Sequence, residues 1–205
     1  MNLRKIPLTL SLLLISALSL AQPERYLAGR DYTVINNPPP NRTPDIVEVT
    51  EYFWYGCPGC YAFEPLLADW IENQNDEVVC LRLPAIWDDW REVHARAYYT
   101  ADALGVLNDM HLKLFDAMHL QGNRLRDEVE HANLFSDNGI SEADFSKAYN
   151  SFTVNSQINR AKNLAIQYDV RSTPSLIVNG KYLVTLSQQT LDIVDFLVNK
   201  ERGSG

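Results

Sequence analysis

Cys57-Pro58-Gly59-Cys60 constrains this chain more than any other stretch, because it stands directly after the hydrophobic run Ile46 to Tyr55. The run reads as a buried strand and the residues after Cys57 as a helix, which puts Cys57 at a helix N-terminus. Unpaired backbone N–H groups and the positive end of the helix dipole favour an anion there. A thiolate is such an anion, and it is the reactive form of cysteine. Pro58 suits the first helical turn, where its missing N–H costs nothing and its φ is already helical. Two intervening residues keep both sulfurs within disulfide reach, so the pair can open and close.

Two cysteines at this spacing can also be half of a zinc site or a structural staple. Structural zinc takes two further ligands, usually a second cysteine or histidine pair. The candidates left are Cys80 and the scattered His94, His111, His119 and His131, none at a metal-ligand spacing from another. Each histidine reads as a helix-surface or packing residue. A copper-handling thiol pair is disfavoured alongside zinc. A purely structural disulfide here would close a very small loop and stabilise little through chain entropy.

The N-terminus reads as a secretory signal over residues 1–21. Arg4 and Lys5 give the positive start, Leu8 to Leu20 the apolar stretch, and Ser19 and Ala21 small residues for cleavage before Gln22. An uncleaved anchor is the alternative, but the stretch falls short of the ~20 apolar residues that span a bilayer. Cleavage would leave 184 residues in a disulfide-permissive, periplasmic compartment. Losing Arg4 and Lys5 takes the net charge from −8 to −10, which argues against nucleic acid and anionic lipid as partners. Three cysteines in 205 residues cannot staple a fold, so the core must come from packing.

Along the chain, strands are expected at Tyr32 to Ile35, Ile46 to Phe53 and Val78 to Leu83. A helix runs from about Cys57 to Asn73 and bends at Pro65. Trp87 to about Asn150 has helical spacing throughout, with Gly105, Gly122 and Gly139 suited to helix C-caps and Ser141 with Asp144 to an N-cap box. Val154, Ile158, Ala161 and Ala165 stripe one further helix ending near Tyr168. Ser175 to Val178 and Tyr182 to Thr185 form a hairpin turning at Asn179-Gly180. A last helix covers about Gln188 to Asn199, before a disordered tail Gly203-Ser204-Gly205. Pro38-Pro39-Pro40 reads as an extended linker, and Asn41-Arg42-Thr43 is formally a glycosylation sequon.

Deleting the helical block leaves strand, strand, helix, strand, helix, strand, strand, helix. That order looks like a thioredoxin fold, an α/β architecture, with an all-helical domain inserted. The domains expected are 22–85, the insertion at 86–150, and 151–205. At this point Glu51-Tyr52-Phe53-Trp54-Tyr55-Gly56-Cys57-Pro58-Gly59-Cys60-Tyr61-Ala62-Phe63-Glu64, the insertion, and Val170-Arg171-Ser172-Thr173-Pro174 together resemble the periplasmic thiol:disulfide oxidoreductases of the DsbA family. The resemblance covers essentially the whole chain after the signal.

It implies an enzyme that introduces disulfides into exported proteins, with no cofactor beyond its own Cys57–Cys60 disulfide. Cys57, exposed at the helix start, is expected to be the attacked sulfur, and Cys60, one turn in and more buried, the resolving thiol. Glu51 alternates with Val47, Val49 and Phe53, which lands a carboxyl on an apolar face behind the dithiol. Burial would raise its pKa, and in the family an acid at this place moves the Cys60 proton. The alternative is a strand-end glutamate in water. In the family the proline matching Pro174 is cis and faces the dithiol, and the residue before it, here Thr173, pairs its backbone with an extended substrate. The alternative is a loop proline that merely starts a strand.

Two departures bear on how strong an oxidant this is. Gly59 stands where strongly oxidising relatives carry histidine, so Cys57 should be less acidic. Thr173 replaces an aliphatic residue and resembles what disulfide isomerases and some reductases carry. Cys80 is expected to be inert core, and Trp54, Trp70, Trp87 and Trp90 mostly core. Trp54 and Tyr55 are expected to line the substrate surface. Expected partners are unfolded exported proteins and a membrane, quinone-linked oxidase of the DsbB type, with the protein itself a monomer. The rival functions are a reductase or isomerase of the same fold, or a redox-silent chaperone or metallochaperone.

Overall fold

The computed structural model describes residues 24–39 and 46–203. The signal segment, the sequon at Asn41, the end of the proline linker and the final Ser204-Gly205 lie outside the described residues. The elements are β1 (Thr33–Val34), β2 (Val47–Phe53), α1 (Pro58–Glu72), β3 (Val78–Pro84), α2 (Asp89–Ala103), α3 (Leu107–His119), α4 (Glu128–Ser136), α5 (Glu142–Tyr149), α6 (Phe152–Gln167), β4 (Ser175–Val178), β5 (Tyr182–Thr185) and α7 (Thr190–Arg202). This is the expected thioredoxin fold with a helical insertion.

The five strands lie in the order β1-β5-β4-β2-β3, with β2 and β3 parallel and the other pairs antiparallel. One face of the sheet packs on α1 and α7, through Val47, Val49, Leu67, Leu176, Val194 and Leu197. Tyr52, Phe53 and Ile177 join a second core shared with α2, α3, α5 and α6. Because α6 packs on α2, the helical block and the strand layers share a continuous core. The hairpin turns where expected, with Asn179 and Gly180 both at positive φ (52° and 67°), as a two-residue turn of this twist requires.

Capping follows the side chains available. Asp88, Asp127, Ser141 and Ser151 each accept the backbone N–H of the residue three positions on. Gly105 takes φ 71° directly after the last turn of α2, while Gly122 and Gly139 sit one residue further out. α1 continues through Pro65 to Glu72. α7 starts later than expected because Thr190 Oγ1 accepts the Ser187 N–H (2.6 Å) and returns a bond to the Ser187 carbonyl (2.9 Å). That local turn draws residues 187–189 out of the helix.

Candidate active site

The end of β2 delivers the chain into a tight turn in which the Cys57 N–H donates to the Trp54 carbonyl (2.9 Å). Cys57 is the N-cap of α1, with extended backbone (φ −88°, ψ 114°), and Pro58 opens the helix behind it. The Cys57 Sγ accepts the Cys60 N–H at 3.3 Å and, as a thiol, donates to the Thr173 carbonyl at 3.4 Å. Both cysteines are free; Cys57 is half-buried and Cys60 is fully buried.

These surroundings separate the two thiols. Cys57 is lowered to about 5, chiefly by the hydrogen bond from the Cys60 side chain, which outweighs its partial burial. Thr173 and the amides of Cys60 and Gly59 add to the effect. Cys60 is pushed far up, first by burial and then by its bond to Cys57.

Thr173 and Pro174 come to the dithiol from over a hundred residues away, because β4 pairs antiparallel with β2, Ser175 opposite Tyr52. The Thr173–Pro174 bond is cis. A Cβ on Gly59 would lie 3.3 Å from Pro174 Cδ and 3.7 Å from Cys57 Sγ, so proline, glycine and sulfur are near neighbours.

Glu51 is completely buried. Neither carboxyl oxygen has a hydrogen-bond partner, and the nearest cation is Arg82, with Nε 3.4 Å from Oε2. Burial raises the Glu51 carboxyl to about 8, assisted by the charge of Glu64 and opposed by Arg82. The expectation of a buried acid on the sheet face is met, and the solvated alternative is not.

Sequence reasoning missed the groups around that acid. Arg82 stands opposite Glu51 in the parallel β2–β3 register. Its guanidinium also pairs with Glu64, which is buried on α1 one turn beyond Cys60. His111 Nε2 lies 3.5 Å from Glu64 Oε2, and its Nδ1 meets the Tyr55 hydroxyl at 2.9 Å. Two signals were available: a glutamate four residues after Cys60 shares its helix face, and an arginine interrupts the apolar strand of β3.

Other expectations need correction. Tyr55 does not line a surface; it is 1% exposed, its ring held by Phe53, Phe115 and His111. Among the tryptophans only Trp70 is core. Trp87 is 45% exposed, and Trp54 and Trp90 are partly open, with the guanidiniums of Arg91 and Arg124 lying over these rings. Cys80 is only half-buried, since β3 is the edge of the sheet. Burial still pushes its thiol up to about 12, far from the reactive thiolate. His94, His111 and His131 are buried and hydrogen-bonded, whereas His119 is half-buried. Among the described residues no group of His, Cys, Asp and Glu is placed to share a metal ion.

With this geometry in view, comparison with known proteins is decisive. A profile of the DSBA-like thioredoxin domain matches residues 75–195. The thiol:disulfide interchange protein DsbA of Pseudomonas aeruginosa is 36% identical over 208 residues, spanning 98% of this chain and 99% of its own. The chain belongs to the DsbA family. The crystal structure of Pseudomonas aeruginosa DsbA superposes with a TM-score of 0.83 at 37% identity, covering 87% of this chain and 96% of that one. The DsbA of Xylella fastidiosa gives 0.82 at 32% identity, covering 87% and 98%. This DsbA family member is a thiol:disulfide oxidoreductase.

Proposed function

We propose that the protein oxidises cysteine pairs in unfolded exported proteins in the periplasm, and that Cys57 is the sulfur that meets the substrate. One observation carries this reading: of the two cysteines only Cys57 is partly exposed, and it sits where a helix start and the Thr173 loop converge on it. A substrate thiolate attacks Cys57 Sγ of the Cys57–Cys60 disulfide, and the S–S bond breaks with its electron pair going to Cys60. Cys60, whose anion is disfavoured by burial, takes a proton, for which the neutral Glu51 carboxyl is the donor. A second substrate thiolate then attacks the substrate sulfur of the mixed disulfide and releases Cys57 as a stabilised thiolate. The substrate has lost two electrons and the protein dithiol holds them.

Thr173 offers its backbone to the extended substrate beside Pro174, and Pro58 and Gly59 tune Cys57. Residues 22–85 and 151–205 form the thioredoxin part and 86–150 the insertion. A quinone-linked membrane oxidase of the DsbB type would return the dithiol to the disulfide, in the reverse sense with Glu51 as proton acceptor, and the protein would work as a monomer without a cofactor. Gly59 in place of histidine favours a milder oxidant and keeps a reductase or isomerase role as the second reading.

The deciding experiment equilibrates the dithiol against glutathione and then mixes the oxidised protein with a reduced two-cysteine peptide. An oxidising potential and rapid peptide oxidation are expected. A potential in the range of cytosolic reductants would move the function to the second reading.

A further inference from the structure

Two of the three residues ahead of the dithiol, Trp54 and Tyr55, are held from outside by histidines of the helical block. The Trp54 indole N–H donates to His94 Nδ1 on α2 (2.8 Å). His111 on α3 meets the Tyr55 hydroxyl (2.9 Å), and Nε2 of His119, at the end of α3, meets the Tyr55 carbonyl (2.8 Å). For His94 the partners fix the protonation state. An indole N–H only donates, so Nδ1 must offer a free lone pair. Nε2 faces the carbonyls of Leu125 (2.9 Å) and Arg124 (3.1 Å), which only accept, so the single proton sits on Nε2.

Trp54 in turn shapes the approach to Cys57. Its carbonyl closes the turn on the Cys57 N–H. Its indole fills the space a side chain at position 56 would occupy: a Cβ on Gly56 would fall 2.3 Å from Cζ2. Trp90 packs edge-on against both Trp54 and His94, with centroids 5.2 Å from each. The Arg91 guanidinium lies 4.1 Å from the Trp54 ring centre.

Building on the proposed role of Cys57, we propose that His94 is a positioning residue of the redox centre: by holding the Trp54 indole against Gly56 it fixes the surface ahead of Cys57 on which a thiol-bearing polypeptide lies. The latch exists only while His94 is neutral, since a proton on Nδ1 would set two N–H groups against each other. The groups facing the imidazole are Asp88, Trp90 and Arg91 from α2's start, His131 on α4 at 5.7 Å ring to ring, Trp54, and the Arg124–Leu125 backbone. Burial holds His94 below its ordinary value and Arg91 lowers it further, against the two carbonyls and Asp88. The latch therefore stays closed at neutral pH and opens in acid.

The test uses the signal-free full chain and two variants, H94L, which removes donor and acceptor, and H94Q, which keeps one of each without a titrating group. In proton–nitrogen correlation NMR the Trp54 indole signal, assigned with W54F, is expected downfield of those of Trp70, Trp87 and Trp90. It should move on acidification in wild type, hold its position with little acid response in H94Q, and shift to that of an unbonded indole in H94L. With a reduced cysteine peptide, H94L should raise KM about fivefold, roughly one hydrogen bond's worth, with a smaller change in kcat, and H94Q should restore KM. A Trp54 signal or a peptide KM in H94L equal to wild type would overturn the proposal. So would an acid response in H94Q as large as in wild type, a contrast that decides the matter even where H94L does not fold. Wild-type protein with the Trp54 signal in its bonded position but no peptide oxidation would instead overturn the role given to Cys57, and with it that of His94.

Discussion

Cys57 and Cys60 are one helical turn apart, yet their surroundings are opposed. Around Cys57 are groups that favour an anion: the Cys60 N–H and thiol, the Gly59 amide and the open end of a helix. Cys60 is buried in the core that holds Tyr52, Phe53 and Tyr55, with the buried acid Glu51 close enough to disfavour its anion. One thiol is lowered to about 5 and the other is driven far above its usual value. The difference comes from which end of a single turn each sulfur occupies, and it is what lets one sulfur leave easily and the other hold a proton until it is needed. A dithiol with two equivalent sulfurs could not keep those tasks apart.

The strongest way to break that comparison is to remove one sulfur at a time. Cys57→Ser should abolish thiol exchange, while Cys60→Ser should accumulate mixed disulfides through Cys57. Competitive alkylation of the reduced native protein, read by mass spectrometry, should label Cys57 well before Cys60. Faster labelling of Cys60 would reverse the roles.

The buried side can be attacked through its one cation. Arg82→Met takes the one cation away from buried Glu64, leaving it only the His111 imidazole at 3.5 Å, since Glu51 already holds its proton near neutral pH. Breaking a buried pair in this way costs about 3–5 kcal/mol, to be read from urea unfolding of the oxidised protein. A change near zero would show that water reaches Glu64 and that the acid side is less closed than its burial indicates.

What the sequence revealed divides along the same line. The Cys57 side is written in consecutive residues, a strand, a turn and a helix start, so local chemistry was enough to find it. Glu51 was legible because a charge at the wrong phase of an alternating strand stands out. Arg82 and Glu64 were not paired with it in advance, because that requires knowing that β3 runs parallel to β2 in the register Glu51 to Arg82. The half-exposure of Cys80 has the same origin: alternation marks a strand but does not say which strand ends the sheet. The histidines looked like helix packing because their partners lie in the turn before the dithiol, as many as 64 residues away.

The two sides should also answer pH in opposite senses. Cys57 falls from an ordinary 9.0 to about 5 in the fold. Its contribution to the stability of the reduced form is present above pH 9 and is lost as pH falls through 5. The stability of the reduced form minus that of the oxidised form should therefore shrink steadily across that window. Glu51 rises from 4.5 to about 8, so its contribution is present below pH 4.5 and lost as pH rises through 8. Unfolding midpoints of the oxidised protein should decline over that range, and Glu51→Gln should flatten the decline. Parallel curves for wild type and E51Q would mean that Glu51 does not titrate in the fold.

The smallest effect, and the finest test of the exposed side, is expected at Gly59. A side chain there would start 3.3 Å from Pro174 Cδ, 3.6 Å from Leu186 Cδ2 and 3.7 Å from Cys57 Sγ. Only the Pro174 contact is tight, so the proline ring must give by a few tenths of an ångström, while Leu186 and Cys57 stand at ordinary contact distance. Gly59→His should therefore fold and place an imidazole beside the sulfur, where its N–H or its positive charge favours the thiolate. Cys57 should become more acidic, within the span of roughly 3.5–7.5 known for such helix-start thiols, whose acid end is set by a DsbA. The protein should become more oxidising by the same amount, because a leaving thiolate held more firmly pulls the exchange forward. Thiolate absorbance against pH gives the first quantity and glutathione equilibrium the second. If both stay where they are, the Cys60 thiol, Thr173 and the backbone amides already set the anion's stability, and the identity of residue 59 serves only to shape the surface that the substrate meets.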